Sequence, residues 1–252
     1  MQQSKRISLL AVIAIAVGGC ATNYVTPAAG VSIAEFTDED MQSFYERQPV
    51  SPFPANIAIL RVQDAGYVTK TSHGYGHGRY TVVTTRDIES DEAFNKVRNL
   101  PLVDGVAPIG RLLLPPNTNT IKDLRTPAAN LRADMLMIYS VDTTFTVDGR
   151  ALGPLSMISL GLIPNKKAHV TATVAGALID VRTGFIYGTT EATAREEQRA
   201  TVWSTQLAVE ASRLRAEKQA FASFVDEFQD LWGSVLNMHA ATRPHLSAAE
   251  HD

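Results

Sequence analysis

Near the C-terminus, Phe221, Phe224, Val225, Phe228, Leu231, Trp232 and Val235 recur at steps of three and four residues. That spacing puts side chains on one face of an α-helix, here expected to begin near Thr205 and end before His239. So broad an aromatic stripe has to be buried, and the rest of the chain supplies strands to bury it. Residues 134–147 give the strongest of them: Met135, Leu136, Met137, Ile138 and Tyr139 are nearly all apolar, as in a central strand. From Val141 the pattern alternates, with Val141, Thr143, Phe145 and Val147 on one face. Residues 168–180 and 185–194 flank Val181-Arg182-Thr183-Gly184 and predict a hairpin, with Gly184 free to take a positive φ.

Weaker signals precede these. Residues 56–62 and 80–85 read as strands, and 109–114 as a strand ended by Pro115 and Pro116. Residues 92–100 carry Phe94, Val97 and Leu100 at helical spacing, and Thr126-Pro127 marks a helix start running to Leu131. Residues 64–78 are rich in Gly and His and read as loop. With 45% apolar and 19% charged residues in 252, the composition is globular. The expectation is a single α+β domain over 56–236. It holds a mixed sheet of four to six strands with the long C-terminal helix packed on it, and a flexible tail follows at 237–252.

The N-terminus addresses the chain. Lys5 and Arg6 precede an apolar stretch at 7–17, then Gly18 and Gly19, the layout of a secretory signal too short to span a bilayer. Val17-Gly18-Gly19-Cys20 resembles the lipobox of bacterial lipoproteins, and Cys20 is the single cysteine. The resemblance implies a signal peptide over 1–19, cleavage between Gly19 and Cys20, and a diacylglycerol thioether on Cys20. No thiol is then left for disulfide or metal chemistry. Ala21 in place of an Asp points to the outer membrane, facing the periplasm. Loss of Lys5 and Arg6 takes the net charge from -3 to -5, which does not fit a nucleic-acid partner. Residues 20–55 read as a lipidated tether. Thr37 and Asp40 form a capping box for a short helix bearing Met41, Phe44 and Tyr45, and Pro49 stops it. Such a tether, about 35 residues at up to roughly 3.3–3.6 Å each, would let the domain explore the periplasm.

Three features of the body resemble a group of envelope lipoproteins: the curli-secretion channel family, the outer-membrane activators of penicillin-binding proteins, and the N-terminal domain of the Tol translocation protein. They are Ala133-Asp134 entering a buried strand, the Asp180-Val181-Arg182-Thr183-Gly184 hairpin, and the closing helix. The chain departs from the group at 148–166 and in lacking a helix after its first strand.

Chemistry-bearing patterns are sparse. His73 and His77 lie four apart among three glycines and are weak metal candidates; a flexible surface loop is the better expectation. Asp180 reads as an acceptor for turn amides. Glu191, Glu196 and Glu197, with Arg195 and Arg199, read as a solvated face at a strand–helix junction. No nucleophile elbow, phosphate loop or zinc-protease motif is present, so no catalytic residue and no cofactor are assigned. The apolar stretch at 155–163 has to be covered, paired or in contact with a partner. Its Met157, Ile158, Leu160 and Leu162 are the partner-binding candidates.

The function expected from sequence is therefore a non-enzymatic binding or scaffold module for another envelope protein, anchored by lipid. The alternatives are a subunit of an outer-membrane secretion assembly and, behind it, a metal-dependent enzyme. A pore needs membrane strands of about 9–11 residues, and only 170–178 approaches that.

Overall fold

Strand β2 (Ala55–Asp64) is buried on both faces over most of its length, so each edge needs a partner for its backbone groups. One edge pairs in parallel with β5 (Met135–Val147), from Ile57 opposite Met135 to Arg61 opposite Tyr139. The other edge is shared. β4 (Val103–Pro108) runs parallel along the first half, and β3 (Tyr80–Val83) runs antiparallel along the last four residues. Beyond β5 the sheet continues antiparallel through β8 (Lys167–Asp180) and β9 (Ile186–Arg199), with the two-residue β6 (Arg150–Ala151) folding back on the end of β5. The architecture is the expected α+β domain with a mixed sheet and one long C-terminal helix. The computed structural model describes residues 23–24, 41–147, 150–151, 158–159, 167–199 and 206–242.

The parallel pairs require crossovers, and two short helices provide them on opposite faces. Helix α2 (Asp91–Arg98) is capped by Ser90 Oγ, which accepts from the Ala93 amide, and carries acids in its first turn and bases in its last. It sets Phe94 and Val97 into the larger core cluster with Ile57, Met137 and Tyr139. Helix α3 (Ile121–Asn130) sets Leu124 and Ala128 into the other cluster with Leu60, Leu136 and Ile138. Its start differs from the expected Thr126-Pro127. Thr120 and Asp123 form a reciprocal capping box six residues earlier, and Pro127 sits inside the helix.

Helix α4 (Gln206–Thr242) lies over β8 and β9 and closes the larger cluster with Phe221, Phe224, Phe228 and Trp232. Its path passes Gly176, where a Cβ would stand 2.7 Å from the Ile138 carbonyl oxygen and 2.8 Å from the Phe224 ring.

Further expectations are corrected, beginning with α4, which runs on to Thr242, past its expected end before His239 and into the tail expected at 237–252. The strand expected at 109–114 lies earlier, as β4; Arg111–Leu113 is a 3₁₀ turn. The edge of β2 needs hydrogen-bond partners and β4 supplies them in spite of Gly105 and Pro108, while Ile109 still donates its amide to Ile59 O at 3.0 Å. The Gly/His loop is tied down: Val68 bridges His73, Tyr75 bridges Val82 and His77 bridges Asn117, with positive φ at Gly66, Gly76 and Gly78 making the bends. Part of the tether is also paired. β1 (Asn23–Tyr24) forms an antiparallel ladder with β7 (Ile158–Ser159), where the backbone groups of both segments find partners. Helix α1 (Met41–Glu46) is six residues long.

Candidate functional site

Of the residues singled out by sequence, Ile158 lies in β7, paired with Tyr24. Met157, Leu160, Leu162, Gly19 and Cys20 lie outside the described residues, as does Thr37. His73 and His77 are both exposed, and their bridges run to different segments. No group of three potential metal ligands occurs among the described residues. Glu191, Glu196 and Glu197 sit along β9, not at a strand–helix junction, and Glu196 reaches Arg215 of α4 at 3.6 Å.

The structure gathers two polar constellations. The first is built on the two acids of the hairpin region. Asp180 Oδ1 accepts the amides of Arg182 and Thr183, each at 2.9 Å. Its Oδ2 accepts the amides of Val50 and Ser51 at 2.9 Å, the Ser51 hydroxyl at 2.8 Å and the Tyr187 hydroxyl at 3.2 Å. Burial raises the pKa of this carboxyl, but the amides of Thr183 and Val50, the Ser51 hydroxyl and the Arg182 amide outweigh it and hold the group below its ordinary value. Asp134 takes the Asn56 amide at 3.0 Å and Arg182 at 3.3 Å. The hairpin turn expected from the Thr-Gly corner is present, with Gly184 at φ 74°. Its acid also fastens the segment that enters the domain.

The second constellation is a buried ionic network between β2, β5, the loops on either side of β3 and α4. Arg61 donates to Asp87 Oδ1 at 2.9 Å and to the Tyr67 hydroxyl at 2.7 Å, with Glu89 at 3.6 Å. The Tyr139 hydroxyl donates to Glu89. Arg213 donates through Nε and Nη2 to Glu210 at 3.1 and 2.6 Å, and through Nη1 to Glu217. Glu217 also accepts the Thr143 hydroxyl at 2.7 Å. Thr71 joins the halves, accepting from Arg213 at 3.2 Å and donating to Asp87 at 2.7 Å. Burial opposes the Arg213 charge, but Glu210 and Glu217 raise its pKa above the ordinary value. Burial also pushes the Tyr67 hydroxyl up to about 12 against the pull of Arg61, so that phenol stays neutral.

An open cleft of about 310 Å³ lies beside this network, lined by Arg86, Asp87, Ile88, Glu89, Ser90, Lys218, Phe221 and Ala222. Its two carboxylates are already engaged by Arg61, Thr71 and Tyr139. The arrangement clamps the loops to the helix and sheet. Sequence reasoning missed it. Glu210, Arg213 and Glu217 do carry a signal in their spacing of three and four on the apolar face of α4; Arg61 interrupts the apolar run from Ile57 to Val62.

No family model matches the sequence, and no curated protein does either. Solved structures give distant likenesses. A Caulobacter crescentus CB15 protein provisionally described as a lipoprotein is 15% identical over 41% of this chain and 68% of its own, with a TM-score of 0.26. A Xanthomonas campestris protein of family DUF330 is 13% identical over 82% of this chain and 97% of its own, at 0.34. A hypothetical protein of Chlamydia trachomatis is 14% identical over 72% and 97%, at 0.31. Likenesses at this level of superposition carry no inference about what this chain does.

Proposed function

We propose that this chain is a lipid-anchored envelope protein on the periplasmic side of the outer membrane, and that it acts as a non-enzymatic binding or scaffold module for another envelope protein. The observation that carries the reading is the pairing of Asn23–Tyr24 with Ile158–Ser159. Asn23 follows the lipobox cysteine by three residues, a span of at most about 11 Å. The pairing sets Asn23 and Tyr24, which closely follow the proposed lipidation site, beside Ile158 and Ser159 of the apolar stretch. On this reading a lipid on Cys20 would hold the paired segments near the leaflet. A partner meeting the apolar stretch there is itself close to the membrane.

Replacing Cys20 with Ser tests the anchor. The variant is expected to accumulate as an unprocessed or soluble form, while the parent fractionates with outer membranes. Identical cleavage and fractionation of the two would remove the basis of the reading.

A further inference from the structure

β9 is the last strand of the sheet. One edge pairs with β8 from Lys167 opposite Arg199 to Ile179 opposite Ile186, and no strand covers its other edge among the described residues. At the opposite side of the sheet β3 and β4 divide the edge of β2, and β3 is itself bridged by Tyr75. β9 therefore offers fourteen residues of ladder without proline, a length that natural edge strands usually avoid.

Its charges are arranged to suit one occupant. Thr189, Glu191, Thr193 and Arg195 are exposed, while Ala192 and Ala194 are buried on the face toward α4. Neither Glu191 nor Arg195 forms an ion pair among the described residues. Two identical strands pairing antiparallel about a two-fold axis place one residue opposite itself. With Thr193 at the axis, Glu191 faces Arg195 of the second copy, twice by symmetry, and Ala192 faces Ala194. The nearby registers are worse. Centring on Ala192 sets Glu191 against Thr193 and forms no charge pair, centring on Ala194 sets Glu191 against Glu197, centring on Arg195 sets that arginine against its own copy, and centring on Glu196 does the same for that acid. A threonine pair of the kind required at the axis already exists within the sheet, where the Thr173 and Thr193 hydroxyls meet at 2.9 Å.

We propose that two copies of this chain associate through β9, antiparallel and centred on Thr193, so that one sheet runs through both. The proposal is independent of the lipid anchor.

Cysteine crosslinking in the full chain tests it, with Cys20→Ser as background so that no other thiol takes part. Mild oxidation is expected to convert Thr193→Cys to a band of twice the mass and to leave Thr189→Cys, which would face Glu197, as a single chain. Glu191→Arg is expected to weaken association at least about tenfold, and adding Arg195→Glu to restore it, because the double exchange recreates both opposite-charge pairs. Crosslinking of both cysteines alike, or of neither, overturns the proposal, as does a double exchange no better than the single one.

Discussion

Asp180 Oδ2 accepts hydrogen bonds from both the amide of Ser51, at 2.9 Å, and its hydroxyl, at 2.8 Å, across 129 residues of sequence. The contact joins the segment after α1 to the end of β8 and to the turn that starts β9. One side chain thus sets the path by which the chain enters the domain.

Asp180→Ala removes the shared acceptor of the Val50, Ser51, Arg182 and Thr183 amides, and leaves the Ser51 amide unsatisfied in a buried place. We expect a loss of about 3 kcal/mol, from charge-assisted hydrogen bonds of roughly 1.5–3 kcal/mol each that do not add fully. Urea denaturation reads it. Faster proteolysis within 41–50 than in the parent is the local signature.

The same carboxyl links folding to acid. The folded protein holds Asp180 and Asp87 below the ordinary 3.8; for Asp87, burial raises the value and Arg61, Ser72 and Thr71 more than offset it. A carboxyl depressed on folding contributes stability above its unfolded value and loses it as pH falls through the folded one. These two groups therefore leave stability flat down to about pH 4 and lower it below that. Thermal unfolding between pH 2 and 6 should show a shallower acid slope for Asp180→Asn than for the parent.

In the buried network, Arg213→Met removes the cation that the buried Glu210 and Glu217 share. A cost of about 3–5 kcal/mol is expected, the range for removing one member of a buried ionic cluster. Converting Glu210 and Glu217 to apolar residues in the same chain should recover most of it. Equal destabilisation of the single and triple variants would show that the cluster holds the loops by geometry that apolar side chains do not reproduce.

Two glycines predict opposite signs. Gly176→Ala drives a methyl into the Ile138 carbonyl and the Phe224 ring and should cost about 1–3 kcal/mol. Gly233, inside α4, has nothing within 4 Å of its added Cβ, so Gly233→Ala should stabilise by about 0.5–1 kcal/mol. Paired chemical denaturation curves check both.

The elements legible in the sequence are those whose side chains repeat with a period. β5, the β8–β9 hairpin and α4 are each long enough for the repeat to outweigh local exceptions. β4 was hidden because Gly105 and Pro108 contradict strand preference, and only the needs of β2 place it there. The start of α3 was hidden because a proline outranked the Thr120–Asp123 box. The ionic network was hidden for a different reason: Arg61 and Arg213 lie 152 positions apart and meet through Asp87 and Thr71, which only the fold brings between them. β1 and β7 carry two residues each, too few for any repeat to show.

The claim that the lipid-anchored end and the apolar stretch act together is tested most directly by photocrosslinking in cells from a probe at Leu160. We expect one specific protein adduct from the envelope fraction, strongly reduced when Tyr24→Pro disrupts the pairing with Ile158. The same adduct at undiminished yield in the Tyr24→Pro chain, or no protein adduct from either chain, would contradict the account.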